Sequence, residues 1–61
     1  MFVLLYKPPC GEWYVHSHKI YGNMEAARSK ARKFLPRGTP IAILALEFDL
    51  SEVSNRVEYV E

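Results

Sequence analysis

The sequence has little of what disulfide-stapled or membrane-spanning proteins are built from. Its 61 residues include one cysteine, Cys10, which cannot form an internal disulfide, so a stapled secreted miniprotein is excluded and a reducing compartment is expected. The longest strongly apolar run, Ile41 to Leu46, is far shorter than the roughly 20 residues of a membrane span. No basic leader precedes the apolar start. We therefore expect a mature cytoplasmic chain that begins at Met1.

A large excess of charge of one sign is missing as well. The net charge is +1, 49% of the residues are hydrophobic and 25% are charged, which excludes an intrinsically disordered chain. We expect one domain over residues 1–61 and no membrane partner. A chain this short buries only about 60% of its unfolded surface. It has little core to spare for an enclosed cofactor site, so we expect no cofactor and no enzymatic activity.

The first half of the chain predicts a hairpin followed by a helix. Residues 2–6 and 12–18 are rich in β-branched and aromatic residues, with a Pro-Pro-Cys-Gly connection that we expect to be four or five residues long. Asn23 is a suitable helix N-cap. Residues 24–35 favour helix, with an apolar stripe, before Pro36 and Gly38 end it. That stripe comprises Met24, Ala27, Ala31, Phe34 and Leu35.

The second half predicts two more strands. Residues 39–48 are apolar on both alternating faces, which is typical of a central strand, and residues 56–60 alternate as an edge strand does. The polar connection between them favours a helical turn from Ser51. The fold class is therefore α+β: a single small β-β-α-β-β domain with one helix packed on a mostly antiparallel sheet.

One helix covers only one face of such a sheet. The far face would carry Val3, Leu5 and Ile43, and three alternatives can cover it: the C-terminal segment, a second copy of the chain, or a partner. The second alternative predicts a homodimer through the apolar sheet face.

Three groups of residues could carry chemistry. His16 and His18 lie two apart in a predicted strand, on the face of Glu12 and Tyr14, and could ligate zinc with Glu12 or Cys10. A hydrogen-bonded surface row is the favoured interpretation, so no metal site is predicted. Cys10 with His16 could form a nucleophile and base, but a mobile turn is hard to preorganise. Glu47 and Asp49 would share a strand face, and we interpret them as solvated acids.

The predicted helix is basic and lies next to aromatic residues of the hairpin. Basic groups beside aromatic rings can bind phosphates and stack bases, whereas a solvated helix face is the alternative. A nucleic-acid-binding accessory domain that uses the basic helix 24–37 is therefore our second functional hypothesis. Its residues would be Lys19, Arg28, Lys30, Arg32, Lys33 and Arg37.

Charge is unevenly distributed along the chain. Residues 1–38 carry a net charge of +5 and residues 39–61 a net charge of −4. If the two halves occupy different faces, the resulting field would steer docking. Pairing of strands from both halves would blur the separation.

Several residues of the hairpin and helix carry a resemblance. Trp13-Tyr14-Val15, Tyr21, the segment 23–27 and Ala31 resemble in outline the hairpin-then-helix layout of small phage-encoded proteins that inhibit a host machine. They are also similar to the arm-type DNA-binding domain of phage integrases, although that domain generally has three strands before its helix. The resemblance covers roughly a third of the chain.

These observations together favour a small non-enzymatic binding protein that acts by protein–protein contact. The resemblance implies a viral inhibitor or modulator of a host enzyme or defence complex. Aromatic residues and arginines most often dominate interface energy. The predicted partner-binding residues are Trp13, Tyr14, His16, Tyr21, Arg28, Arg32 and Arg37.

Overall fold

A four-stranded antiparallel sheet with one helix on it forms the framework of the computed structural model. The structure describes the backbone of residues 1–61 and all side chains except those of residues 17 and 18. The elements in chain order are β1 (Phe2–Tyr6), β2 (Tyr14–Tyr21), α1 (Met24–Phe34), β3 (Pro40–Ala45), a 3₁₀ helix (Leu50–Asn55) and β4 (Val57–Tyr59). The predicted α+β class and element order are confirmed.

The sheet order is β2-β1-β3-β4, and every neighbouring pair is antiparallel. The positions of β3 as an inner strand and β4 as an edge strand are confirmed. The connection from β1 to β2 runs over residues 7–13 and is longer than predicted. The reason is that two consecutive prolines and a glycine keep the chain out of a tight hairpin turn.

Strand β2 contains a bulge, so it does not pair residue for residue with β1. Val3 pairs with Ile20 and Leu5 pairs with Val15, so six residues of β2 lie opposite three residues of β1. A bulge of this kind breaks the rule that positions two apart share a face. The predicted common face of Glu12, Tyr14, His16 and His18 rested on that rule, and Glu12 precedes the strand altogether.

The helix begins and ends where its capping residues predict. The side chain of Asn23 accepts a hydrogen bond from the backbone N–H of Ala26 at 2.8 Å, which satisfies one of the free amides of the first turn. Gly38 has φ of 85°, a left-handed conformation that favours glycine. Ala27 and Ala31 are buried, but Phe34 is exposed, so the predicted apolar stripe is wrong at that residue.

Both faces of the sheet are covered. On the helix side, Leu4, Ile41 and Ile43 pack with the two helix alanines. On the far side, Val53 of the 3₁₀ helix packs with the cluster that includes Leu5, and Phe48 and Trp13 pack against it. Of the three alternatives for covering the far face, the C-terminal segment is therefore the one observed. Ile43 belongs to the helix side, which corrects its predicted place.

Strand β3 ends before the predicted position, and a 3₁₀ helix follows it. Strand β3 stops at Ala45, so Glu47 and Asp49 follow the strand and do not share one of its faces as predicted. The side chain of Asp49 instead accepts a hydrogen bond from the backbone N–H of Ser51 at 3.0 Å. This N-cap starts the segment that carries Val53 back over the sheet.

Candidate functional site

A groove lined by proline lies at the end of the sheet where β1 ends, α1 ends and β3 begins. It has a volume of about 540 Å³, and its apolar walls come from Tyr6, Pro8, Pro9, Leu35, Pro36 and Pro40. We call it the proline groove. All four prolines of the chain line it, although they are far apart in the sequence. Antiparallel pairing of β1 with β3 brings them together.

Hydrogen bonds to backbone carbonyls hold the walls of the proline groove in place. The N–H of Lys7 donates to the carbonyl of Pro40 at 3.0 Å, and the N–H of Gly38 donates to the carbonyl of Val60 at 2.7 Å. The hydroxyl of Thr39 donates to the carbonyl of Pro36 at 2.6 Å. Because proline fixes φ and its ring adds apolar surface, these loops form a preorganised apolar recess.

The rim of the proline groove is basic. Lys7 and Arg37 both line it and both are exposed, and its lining includes no carboxylate among the described residues. The ion pairs that the structure describes involve Arg28 and Arg32 and neither of these two side chains. Their charges are therefore available to a negatively charged group outside the chain.

An aromatic row continues from the groove along the sheet. The ring of Tyr6 lies 6.1 Å from that of Tyr14 and 5.7 Å from that of His16, the second pair meeting edge to face. Tyr14 is half exposed at the sheet edge. Tyr6 thus joins two of the predicted partner-binding residues to the groove.

The other predicted partner-binding residues do not join this site, except for Arg37. Trp13 packs against the far-side cluster. Tyr21 is only 5% exposed and belongs to the helix-side core cluster. The groove residues that sequence reasoning missed are Tyr6, Lys7, Leu35 and the four prolines. In the sequence, the four prolines predict only turns. The strand order of the sheet is needed to see that they line one groove.

Arg28 and Arg32 of the helix form ion pairs with carboxylates of the same chain. Arg28 Nε donates to Glu58 Oε1 at 2.7 Å and its Nη2 donates to Glu58 Oε2 at 3.2 Å, while Glu25 receives weaker contacts from Arg28 and Arg32. The hydrogen bond to Glu58 raises the pKa of the Arg28 guanidinium above its ordinary value. The pair joins the basic half of the chain to the acidic half, which blurs the charge separation.

Cys10 and His16, the residues weighed above as metal ligands and as a nucleophile with its base, lie in different parts of the first half of the fold. Cys10 is exposed in the connection after β1. The side chain of His18 lies outside the described residues. Within the described part of the chain, no group of three or more His, Cys, Asp or Glu residues could hold a metal ion. Across that same part, no helix is long and apolar enough to cross a membrane.

No protein-family model, curated protein or solved structure matches the chain. The resemblance to phage-encoded inhibitors stays a prediction.

Proposed function

We propose that this protein is a small non-enzymatic binding module that acts by protein–protein contact through the proline groove. The observation that carries the proposal is the combination of a preorganised apolar recess and two cations at its rim that form none of the ion pairs found among the described residues. Interfaces gain most of their energy from an apolar or aromatic anchor in a preformed pocket, and rim charges select the partner and speed its encounter.

The partner that fits is a protein segment with an apolar or aromatic side chain next to a carboxylate. The anchor would fill the space between the rings of Pro8, Pro36 and Pro40. The adjacent carboxylate would lie between Lys7 and Arg37. A basic segment would meet like charges on the rim, which disfavours it.

The proposal includes a mode of action. Binding to a larger cytoplasmic enzyme or defence complex would cover part of the surface of that complex and so inhibit or modulate it. The rings of Tyr14 and His16 contact Tyr6, which lines the groove, so these two residues would enlarge the interface.

Selection from a random peptide library displayed on phage tests the proposal without knowledge of the partner. We expect the selected peptides to combine an aromatic or aliphatic residue with a neighbouring Asp or Glu. Affinities are then measured by fluorescence anisotropy against the wild type and the rim variant Lys7→Glu/Arg37→Glu. The rim variant should bind about tenfold or more weakly, because two favourable charge contacts become repulsive.

The matched control is Lys30→Glu/Lys33→Glu, which makes the same change of net charge on the opposite side of the helix end. It should weaken binding less than the rim variant does, because neither lysine lines the proline groove. Selected peptides without an acid-plus-apolar pattern would overturn the proposal. So would a rim variant that binds as tightly as the wild type.

A further inference from the structure

A second groove lies between β2 and α1, on the other side of the helix from the Arg28–Glu58 pair. Its lining includes Lys19, Lys30 and Lys33, with Tyr21, Ser29 and Phe34. We call it the lysine groove. Its volume of about 270 Å³ is just below the roughly 300–1,000 Å³ of typical small-molecule sites, so it suits a single phosphate-sized group better than a whole cofactor.

The charge in the lysine groove is not neutralised. No carboxylate lines it among the described residues, and the ion pairs of the structure use Arg28 and Arg32 instead. The lysine ammonium groups lie over aromatic rings: Lys30 Nζ is 4.2 Å from the ring centroid of Phe34, and Lys19 Nζ is 5.9 Å from that of Tyr21. Such contacts position the ammonium groups without removing their charge.

The wall of the lysine groove holds a donor without an acceptor. The hydroxyl of Tyr21 is buried and has no hydrogen-bond partner within the described part of the chain. Burial raises the pKa of this hydroxyl, so it keeps its proton at neutral pH. An unsatisfied buried hydroxyl costs stability, and native proteins rarely keep one without a reason.

An exposed ring adjoins the same groove. Phe34 is 56% exposed at the end of α1, although a helix that packs on a sheet normally turns its large apolar residues inward. Its position beside three lysines matches the pattern of single-strand binding sites, in which cations hold the backbone and an aromatic ring stacks on a base.

We propose that the lysine groove binds a backbone phosphate of single-stranded nucleic acid. Lys19, Lys30 and Lys33 each pair with a backbone phosphate in or beside the groove. The hydroxyl of Tyr21, which is covered in the free protein, donates a hydrogen bond to an oxygen of the phosphate in the groove when the neighbouring side chains move aside. Phe34 stacks on a neighbouring base. An unpaired base is required for that stacking, which is why the ligand is a single strand and not a duplex.

The proposed site uses only part of the residue set predicted for a nucleic-acid-binding helix. Arg28 and Arg32 contact Glu25 and Glu58, and Arg37 lies at the rim of the proline groove. Only the three lysines of that set face the proposed ligand, and Tyr21 and Phe34 are added to them.

The test is a salt titration of binding to a fluorescein-labelled thymidine oligonucleotide of about 12 nucleotides, followed by anisotropy. Three phosphate contacts predict a slope of log K against log salt of about −2, because each contact to a single strand contributes about −0.7. Affinity should therefore fall about 20-fold between about 50 and 200 mM salt. A duplex of the same length should bind more weakly than the single strand.

The variants separate the roles of the side chains. Lys30→Gln and Lys33→Gln should each lower the magnitude of the slope by about 0.7, whereas the control Lys7→Gln in the proline groove should leave it unchanged. Phe34→Ala should weaken binding about fivefold or more. Tyr21→Phe should weaken binding roughly two- to tenfold at an unchanged slope, with a melting temperature no lower than that of the wild type.

Three outcomes would overturn the proposal. The first is no binding of the oligonucleotide at about 50 mM salt. The second is a slope that does not change in Lys30→Gln and Lys33→Gln. The third is a duplex that binds as tightly as the single strand. All three leave the proline groove and its peptide ligand untouched.

Discussion

Arg28 shows how one side chain decides which surface carries free charge. Its two hydrogen bonds to Glu58, of 2.7 and 3.2 Å, connect the helix to β4. The pair is partly exposed, and such pairs contribute little to stability. The main effect of the pair is electrostatic, because Glu58 neutralises the charge of Arg28. The helix cations outside the described ion pairs, Lys30 and Lys33, line the lysine groove.

Asp49, the N-cap of the 3₁₀ helix, makes the stability of that helix depend on pH. Its hydrogen bonds from Ser51 lower its pKa below the ordinary value. Because the folded-state pKa is depressed, the carboxylate stabilises the fold above its unfolded pKa of about 3.9, and that contribution is lost as the pH falls through the folded-state pKa. We expect the carboxyl carbon of Asp49, followed by NMR, to titrate below pH ~3.9.

The control for this prediction is Asp49→Asn, which keeps the acceptor oxygen but cannot titrate. That variant should show less loosening of the 3₁₀ helix on acidification than the wild type. A carboxyl carbon that titrates at the ordinary value would contradict the assigned hydrogen bond.

Among the elements, the 3₁₀ helix is the one that completes the fold. Its Val53 is 4% exposed against the far side of the sheet, whereas Leu50 in the same segment is 72% exposed. Val53→Ala should lower the free energy of unfolding by about 2 kcal/mol, since it removes buried methyl groups and leaves a cavity. Leu50→Ala should change it by less than about 0.5 kcal/mol.

Chemical denaturation of the two variants measures this difference directly. Variants of equal stability would mean that the 3₁₀ helix does not cover the sheet in solution.

The elements also show where sequence reasoning succeeds. Asn23 and Pro36 bracket the helix because caps and breakers act on their own neighbours. The double-sided apolar pattern of β3 identified an inner strand because burial on both faces leaves that signature. The length of the first connection and the bulge in β2 were missed, because both depend on the register in which β1 and β2 pair.

At the scale of the whole molecule, both proposed sites are products of topology. The proline groove exists because β1 and β3 are neighbours and the helix ends beside them. No local pattern in the sequence places Pro8 next to Pro40. Of the seven residues predicted to bind a partner, Arg37 alone lines this groove, because the others were chosen for residue type and not for position.

The far side of the sheet is covered only in part. The C-terminal segment covers its centre, and Met1, Ile20 and Leu46 stay exposed at one end. The predicted homodimer would use this face, and it stays a prediction.

The most direct test of the central claim is a two-dimensional NMR titration of the ¹⁵N-labelled protein with a peptide selected as described above. We expect the largest changes in backbone amide shift at Lys7, Arg37, Gly38 and Thr39. These residues adjoin the groove prolines, which have no N–H and give no signal. Shifts centred on Lys19, Lys30 and Lys33, or on the exposed end of the far face, would contradict the assignment of the proline groove as the protein-binding site.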